Sequence, residues 1–130
     1  MGRHVHSCLA GLCLCVAVLL LAGCGEALPP DPRSEAEIAT DAAERLPVDP
    51  VLSEKYARSC QTCHADPATG APLSGDIRAW ARRLDLRGTE GFLTSTIEGY
   101  GAMPPMGLCA DCTRGEFEAL IAFLADQPEN

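Results

Sequence analysis

The run Cys60-Gln61-Thr62-Cys63-His64 places two thiols three positions apart and an imidazole directly after the second. On one helical turn both thiols can add to the vinyl groups of a single haem. The imidazole can then swing under the ring plane and bind the iron. C-x-x-C-H is the attachment signal for c-type haem. One such run implies one covalent haem c, and a haem held this way usually moves electrons. A C-x-x-C pair alone is also half of a zinc site or a redox dithiol, so the remaining sequence has to discriminate.

The N-terminus indicates export. Arg3, His4 and His6 precede an almost wholly apolar run over residues 8–23. That layout is a secretory signal, with a charged start and an apolar core. The run ends in Leu21-Ala22-Gly23-Cys24, which resembles the lipobox of bacterial lipoproteins. Residues 1–23 are therefore expected to be a signal peptide and Cys24 the lipidated first residue of the mature chain. An uncleaved membrane anchor is the plainer alternative. Either way the rest of the chain is expected on the periplasmic side of a bacterial membrane. The cysteines fit this scheme. Of 8, Cys8, Cys13 and Cys15 leave with the signal, Cys24 takes lipid, and Cys60 and Cys63 take haem. Cys109 and Cys112 remain, and in an oxidising compartment they can pair.

Without residues 1–23 the chain carries 9 Lys and Arg against 18 Asp and Glu, a formal charge of −9. Such acidity argues against nucleic-acid binding, which needs a basic face. Residues 24–48, with Leu28-Pro29-Pro30-Asp31-Pro32, read as a flexible acidic tether rich in Pro and Ala. Within it Ser34–Arg45 can form a short helix, with Ser34 and Glu37 as a capping box. The folded head is then residues 49–130. A chain that short builds a marginal core unaided and needs a staple, which a covalent haem supplies.

About four short helices and no strand are expected in the head. Asp49-Pro50 starts the first, which carries Leu52, Tyr56 and Cys60. Asp76 caps a second with Ile77, Trp80 and Leu84. Thr89 caps a third with Phe92, Leu93, Thr96 and Ile97, ending near Gly99. Thr113 and Glu116 box a last helix with Phe117, Leu120, Ile121 and Leu124 on one face. The expected fold class is all-α, a small domain wrapped around one haem.

The iron needs a second strong ligand opposite His64. Once the signal has gone the head has no other histidine, and its thioethers are Met103 and Met106. Met103 lies in Gly101-Ala102-Met103-Pro104-Pro105, a loop that allows close approach and limits displacement of the sulfur. On these residues alone the choice between the two methionines stays open. A Met/His pair raises the reduction potential relative to harder ligands.

Taken together, the head resembles a class I cytochrome c, and more narrowly the cytochrome c5 family. The residues that carry the resemblance are Cys60–His64, Gly70-Ala71-Pro72-x-x-Gly75-Asp76 and Trp80-Ala81-x-Arg83. The run Gly101-Ala102-Met103-Pro104-Pro105-x-Gly107-x-Cys109-Ala110-Asp111-Cys112 completes them, and the similarity covers about residues 52–126. It implies Met103 as the axial ligand and a Cys109–Cys112 disulfide. It implies that the Pro72 carbonyl accepts the free ring N–H of His64. It also implies Trp80 and Arg83 near the haem edge and propionates. Tyr100 and Met106 depart from the pattern, standing where family members often have Lys. The implied function is a single-electron carrier between transient redox donor and acceptor proteins, held to a membrane by lipid and not itself an enzyme. A haem-based sensor or peroxidase-like protein with a labile sixth ligand is the alternative. A zinc site built from Cys60, Cys63, Cys109 and Cys112 is disfavoured by the long gap between the two pairs.

Overall fold

Helix boundaries in this chain are written by short polar side chains and by proline. In the computed structural model, which describes residues 30–125, four of the five expected N-caps are formed by such residues; the Thr89 cap is not. Ser34 and Glu37 close a capping box on α1 (Glu35–Glu44). Asp49 accepts the Leu52 N–H at the start of α2 (Pro50–Arg58), with Pro50 in the first turn. The short α3 (Gln61–His64) follows almost at once. Asp76 caps α4 (Ile77–Glu98) through the Ala79 N–H. Thr113 and Glu116 box α5 (Arg114–Leu124). Single 3-10 turns at Pro67–Thr69 and Pro105–Leu108 complete the chain. The described residues contain no strand, only an isolated bridge between Tyr100 and Met103.

The second and third expected helices appear as one element broken at Gly88, whose φ of 66° and ψ of 174° are not helical. The break falls just before Thr89, where a new helix start was expected. The core is built from Tyr56 of α2, Trp80, Phe92 and Leu93 of α4, and Phe117, Leu120 and Leu124 of α5, with Cys109 and Cys112 between them. Lys55 ties α2 to α5 through Glu116 at 2.7 Å, and Arg58 pairs with Asp111 at 2.6 Å.

The structure departs from the sequence reading over residues 31–45. This stretch was expected to be part of a flexible tether (24–48) outside a head of residues 49–130. Instead α1 lies on the head, with Ile38 and Ala42 buried. Arg33 donates to Gly75 O at 2.8 Å, Gln61 Nε2 reaches Ala43 O at 3.3 Å, and the Arg45 guanidinium stands 4.7 Å over the Phe123 ring. The folded unit therefore has five α-helices among its described residues and begins near Asp31. The physical reason is Arg33 and Arg45: they bond across to the head, which helix periodicity does not reveal. Residues 24–29 of the expected tether lie outside the described residues. The signal peptide, Cys24 and residues 126–130 lie outside the described residues.

Candidate functional site

Two short turns bring the thiols and the imidazole together. Cys60 stands at the head of α3 and accepts the His64 N–H at 3.0 Å, so Cys60, Cys63 and His64 share one turn. Both thiols are free and half-buried. Burial pushes the Cys60 thiol above its ordinary pKa. His64 is buried, and that burial holds its imidazole below the usual value; the positive charge of Arg83 acts the same way, against the opposing bond to Pro72. The neutral ring, which is the metal-binding form, is thereby favoured.

The segment Pro72–Ser74 fixes this turn with three consecutive backbone groups. His64 Nδ1 lies 2.7 Å from Pro72 O, and because a carbonyl only accepts, Nδ1 donates. Trp80 Nε1 donates to Leu73 O at 2.7 Å. The Ser74 N–H donates to His64 O at 2.8 Å. The Trp80 ring stands 5.5 Å from the imidazole and 5.7 Å from Phe92. His64 is thus held at its carbonyl and its ring, with Nε2 left for another partner. Arg83, half-buried one turn beyond Trp80, bonds back to Ala79 O at 2.7 Å.

Met103 comes from a separate loop. Tyr100 and Met103 exchange both backbone hydrogen bonds at 3.0 Å. Gly99, at φ 88°, sits so close that an added Cβ would lie 3.0 Å from Met103 O and from Pro105 N. Beyond it, Met106 and Leu108 adopt positive φ, a costly conformation for such residues. The Cys109 and Cys112 sulfurs are within bonding reach, with Cα atoms 5.4 Å apart. They are buried under α5.

This donor set fits a covalent haem. It offers two half-buried thiols on one turn, a neutral imidazole fixed through one ring nitrogen, and a thioether on a short, tied loop. Sequence reasoning named Cys60, Cys63, His64, Met103, Pro72, Trp80 and Arg83. It missed Leu73 and Ser74, which act through backbone atoms or lie buried without any periodic signal.

Known proteins share this sequence region. Residues 52–124 match the family model described as cytochrome C oxidase, cbb3-type, subunit III. Cytochrome c5 of Ectopseudomonas mendocina is 44% identical over 66 residues, covering 50% of this chain and 76% of that protein. Cytochrome c5 of Azotobacter vinelandii is 42% identical over 66 residues, covering 50% and 80%. Cytochrome c-555 of Chlorobaculum tepidum is 36% identical over 76 residues, covering 55% and 69%. No solved structure gives a significant match.

Proposed function

The chain belongs to the class I cytochromes c of the c5 type, and from that premise we propose which residues serve its single covalent haem. The protein is a monohaem electron carrier. Cys60 and Cys63 carry the two thioether bonds. His64 and Met103 would hold the iron, through Nε2 and Sδ. When bound, the haem supplies a one-electron Fe(III)/Fe(II) couple. The chain's own residues keep that couple fast and outer-sphere. Pro72 O orients the imidazole and raises its basicity. Trp80 packs against that ring. Gly99 and the Tyr100–Met103 bridge limit how far the sulfur can move, so both axial positions stay filled in either oxidation state. Cys109 and Cys112 form a disulfide that ties the loop to α5. Arg83 supplies positive charge for the propionate edge.

The observation that carries this reading is the fixed imidazole, with Nδ1 on Pro72 O at 2.7 Å on the same turn as two free thiols. The sequence supports export with Cys24 as a lipid anchor on the periplasmic side of a membrane. There the protein exchanges electrons with transient donor and acceptor proteins and has no catalytic activity of its own. A visible spectrum of the matured holoprotein tests the ligand set. Reduced wild type should show sharp low-spin c-type bands and ignore carbon monoxide. Met103→Ala should lose the Met–iron charge-transfer band and bind carbon monoxide. Ready binding of carbon monoxide by wild type would move the sensor or peroxidase reading forward.

A further inference from the structure

The chain has 10 Lys and Arg, and all but Arg3 fall among the described residues. Arg33 pairs with Asp31 and Asp41, Lys55 with Glu116, Arg58 with Asp111, and Arg114 with Glu90 and Glu118. Arg45 lies 3.9 Å from Asp41. The other four cations are Arg78, Arg82, Arg83 and Arg87. All sit in the first half of α4. None has a described carboxylate within 4.0 Å, although the charge of Arg78 reaches Asp31 and helps lower its carboxyl. Asp85 is the one acid among them. Arg78 and Arg82 are one turn apart, as are Arg83 and Arg87, and like charges at that spacing destabilise a helix. A chain with a formal charge of −8 has thus left its unpaired positive charge on one segment, at a cost to folding.

That segment borders both halves of the haem site. Trp80 of this segment stands 5.5 Å from the His64 ring. The Arg87 guanidinium stands 3.7 Å over the Tyr100 ring, and Tyr100 exchanges backbone bonds with Met103. The Gly88 break allows this, turning the rest of α4 so that Arg87 also reaches Ser95 Oγ at 2.8 Å. Tyr100 and Leu86 are exposed, Leu86 by 84%. An apolar side chain flanked by unpaired cations is the composition of a docking face, with an anchor inside a charged rim.

We infer that the first half of α4, with Arg78, Arg82 and Arg87 around Leu86, is the docking face for an acidic surface on a redox partner protein. The inference rests on the electron-carrier function. The molecule carries negative charge elsewhere and positive charge here, so its field turns an approaching acidic partner toward this side. Docking there places the partner on the helix that carries Trp80 against His64 and Arg87 against Tyr100.

The test uses the full-length holoprotein, with poly-glutamate as an acidic polypeptide and hexacyanoferrate(III) as an anionic oxidant. One electron passes from the reduced protein to hexacyanoferrate(III), giving hexacyanoferrate(II), with no bond or proton transferred. Wild type should bind poly-glutamate by calorimetry, and its oxidation by hexacyanoferrate should slow as salt is added. Arg78→Gln/Arg82→Gln should weaken that binding several-fold and flatten or reverse the salt dependence. Arg58→Gln/Arg114→Gln removes the same charge elsewhere and should change neither; spectra and circular dichroism confirm that each variant is folded. Equal effects from the two double variants would overturn the inference, because only net charge would matter. So would oxidation of wild type that speeds up with salt. Binding to phosphatidylglycerol vesicles that depends on Arg78 and Arg82, with poly-glutamate binding unchanged, would assign the face to the membrane and also overturn it. Failure to exchange electrons with either hexacyanoferrate(III) or a cationic cobalt(III) phenanthroline complex would instead count against the carrier function itself.

Discussion

Gly99 and Trp80 each hold one side of the site through contacts that no other residue type reproduces. Gly99 combines a φ of 88° with an approach that would put a Cβ 3.0 Å from two backbone atoms of the methionine loop. Gly99→Ala must strain the backbone and push Met103 outward. It should cost about 1–3 kcal/mol in denaturant unfolding and weaken the Met–iron band at the same time. A stability loss with the band intact would detach Gly99 from the ligand loop. Trp80→Phe keeps much of the ring packing but leaves the Leu73 carbonyl without its 2.7 Å partner. The expected loss is about 1–3 kcal/mol, the cost of an unsatisfied buried group. It should appear as a lower denaturation midpoint with the His64 ligation spectrum retained.

At the scale of elements, α1 depends on a single glycine in the head. Gly75 has φ 77°, and an added Cβ would collide with the Arg45 guanidinium and come within 3.1 Å of Asp41 Oδ2. The Gly75 carbonyl also accepts from Arg33. Gly75→Ala should therefore release α1 from the head without touching the haem turn. Hydrogen exchange checks this. Amides of residues 38–45 should exchange faster in the variant, while those of α2 and α5 keep their protection and the haem spectrum is unchanged. If the 38–45 amides exchange rapidly in wild type as well, α1 does not dock in solution.

For the whole molecule, the surface ion pairs set the response to acid. The hydrogen bonds from Arg33 hold the Asp31 carboxyl at about 2, against 3.8 unperturbed. Arg58 lowers Asp111, Lys55 lowers Glu116, and the Ser34 cap lowers Glu37. Each group takes up its proton more readily in the unfolded chain than in the folded one. Their contribution is present above the unfolded values near 4 and is lost as pH falls through the folded ones. The urea midpoint should decline gently below about pH 6.5, where the unfolded His64 takes up a proton that the buried ring resists, and fall steeply toward pH 2–3 as the carboxylates protonate. Glu37 and Asp111 are exposed, so added salt should reduce their share of the effect. A midpoint flat from pH 7 to pH 2–3 would count against these assignments.

Local chemistry was legible in the order of the residues. The caps at Ser34, Asp49, Asp76 and Thr113, the break before Thr89, and the apolar face of α5 are decided within one or two turns, where a side chain and the backbone it bonds are neighbours in the chain. The Cys60–His64 turn is of the same kind, since its three chemical groups fit one helical turn. The tertiary structure alone decided three things. α1 lies on the head because Arg33 and Arg45 meet Gly75 and Phe123, partners 42 residues away in the case of Arg33 and Gly75. His64 is held by the Ser74 N–H as well as the Pro72 carbonyl, and its neighbour Trp80 by the Leu73 carbonyl, through backbone atoms that carry no side-chain signature. Arg82 and Arg87 of α4 have no ion pair among the described residues because folding brings acids to the other cations and not to these. Contacts of that range depend on where helices end up in space, and neither periodicity nor spacing encodes it.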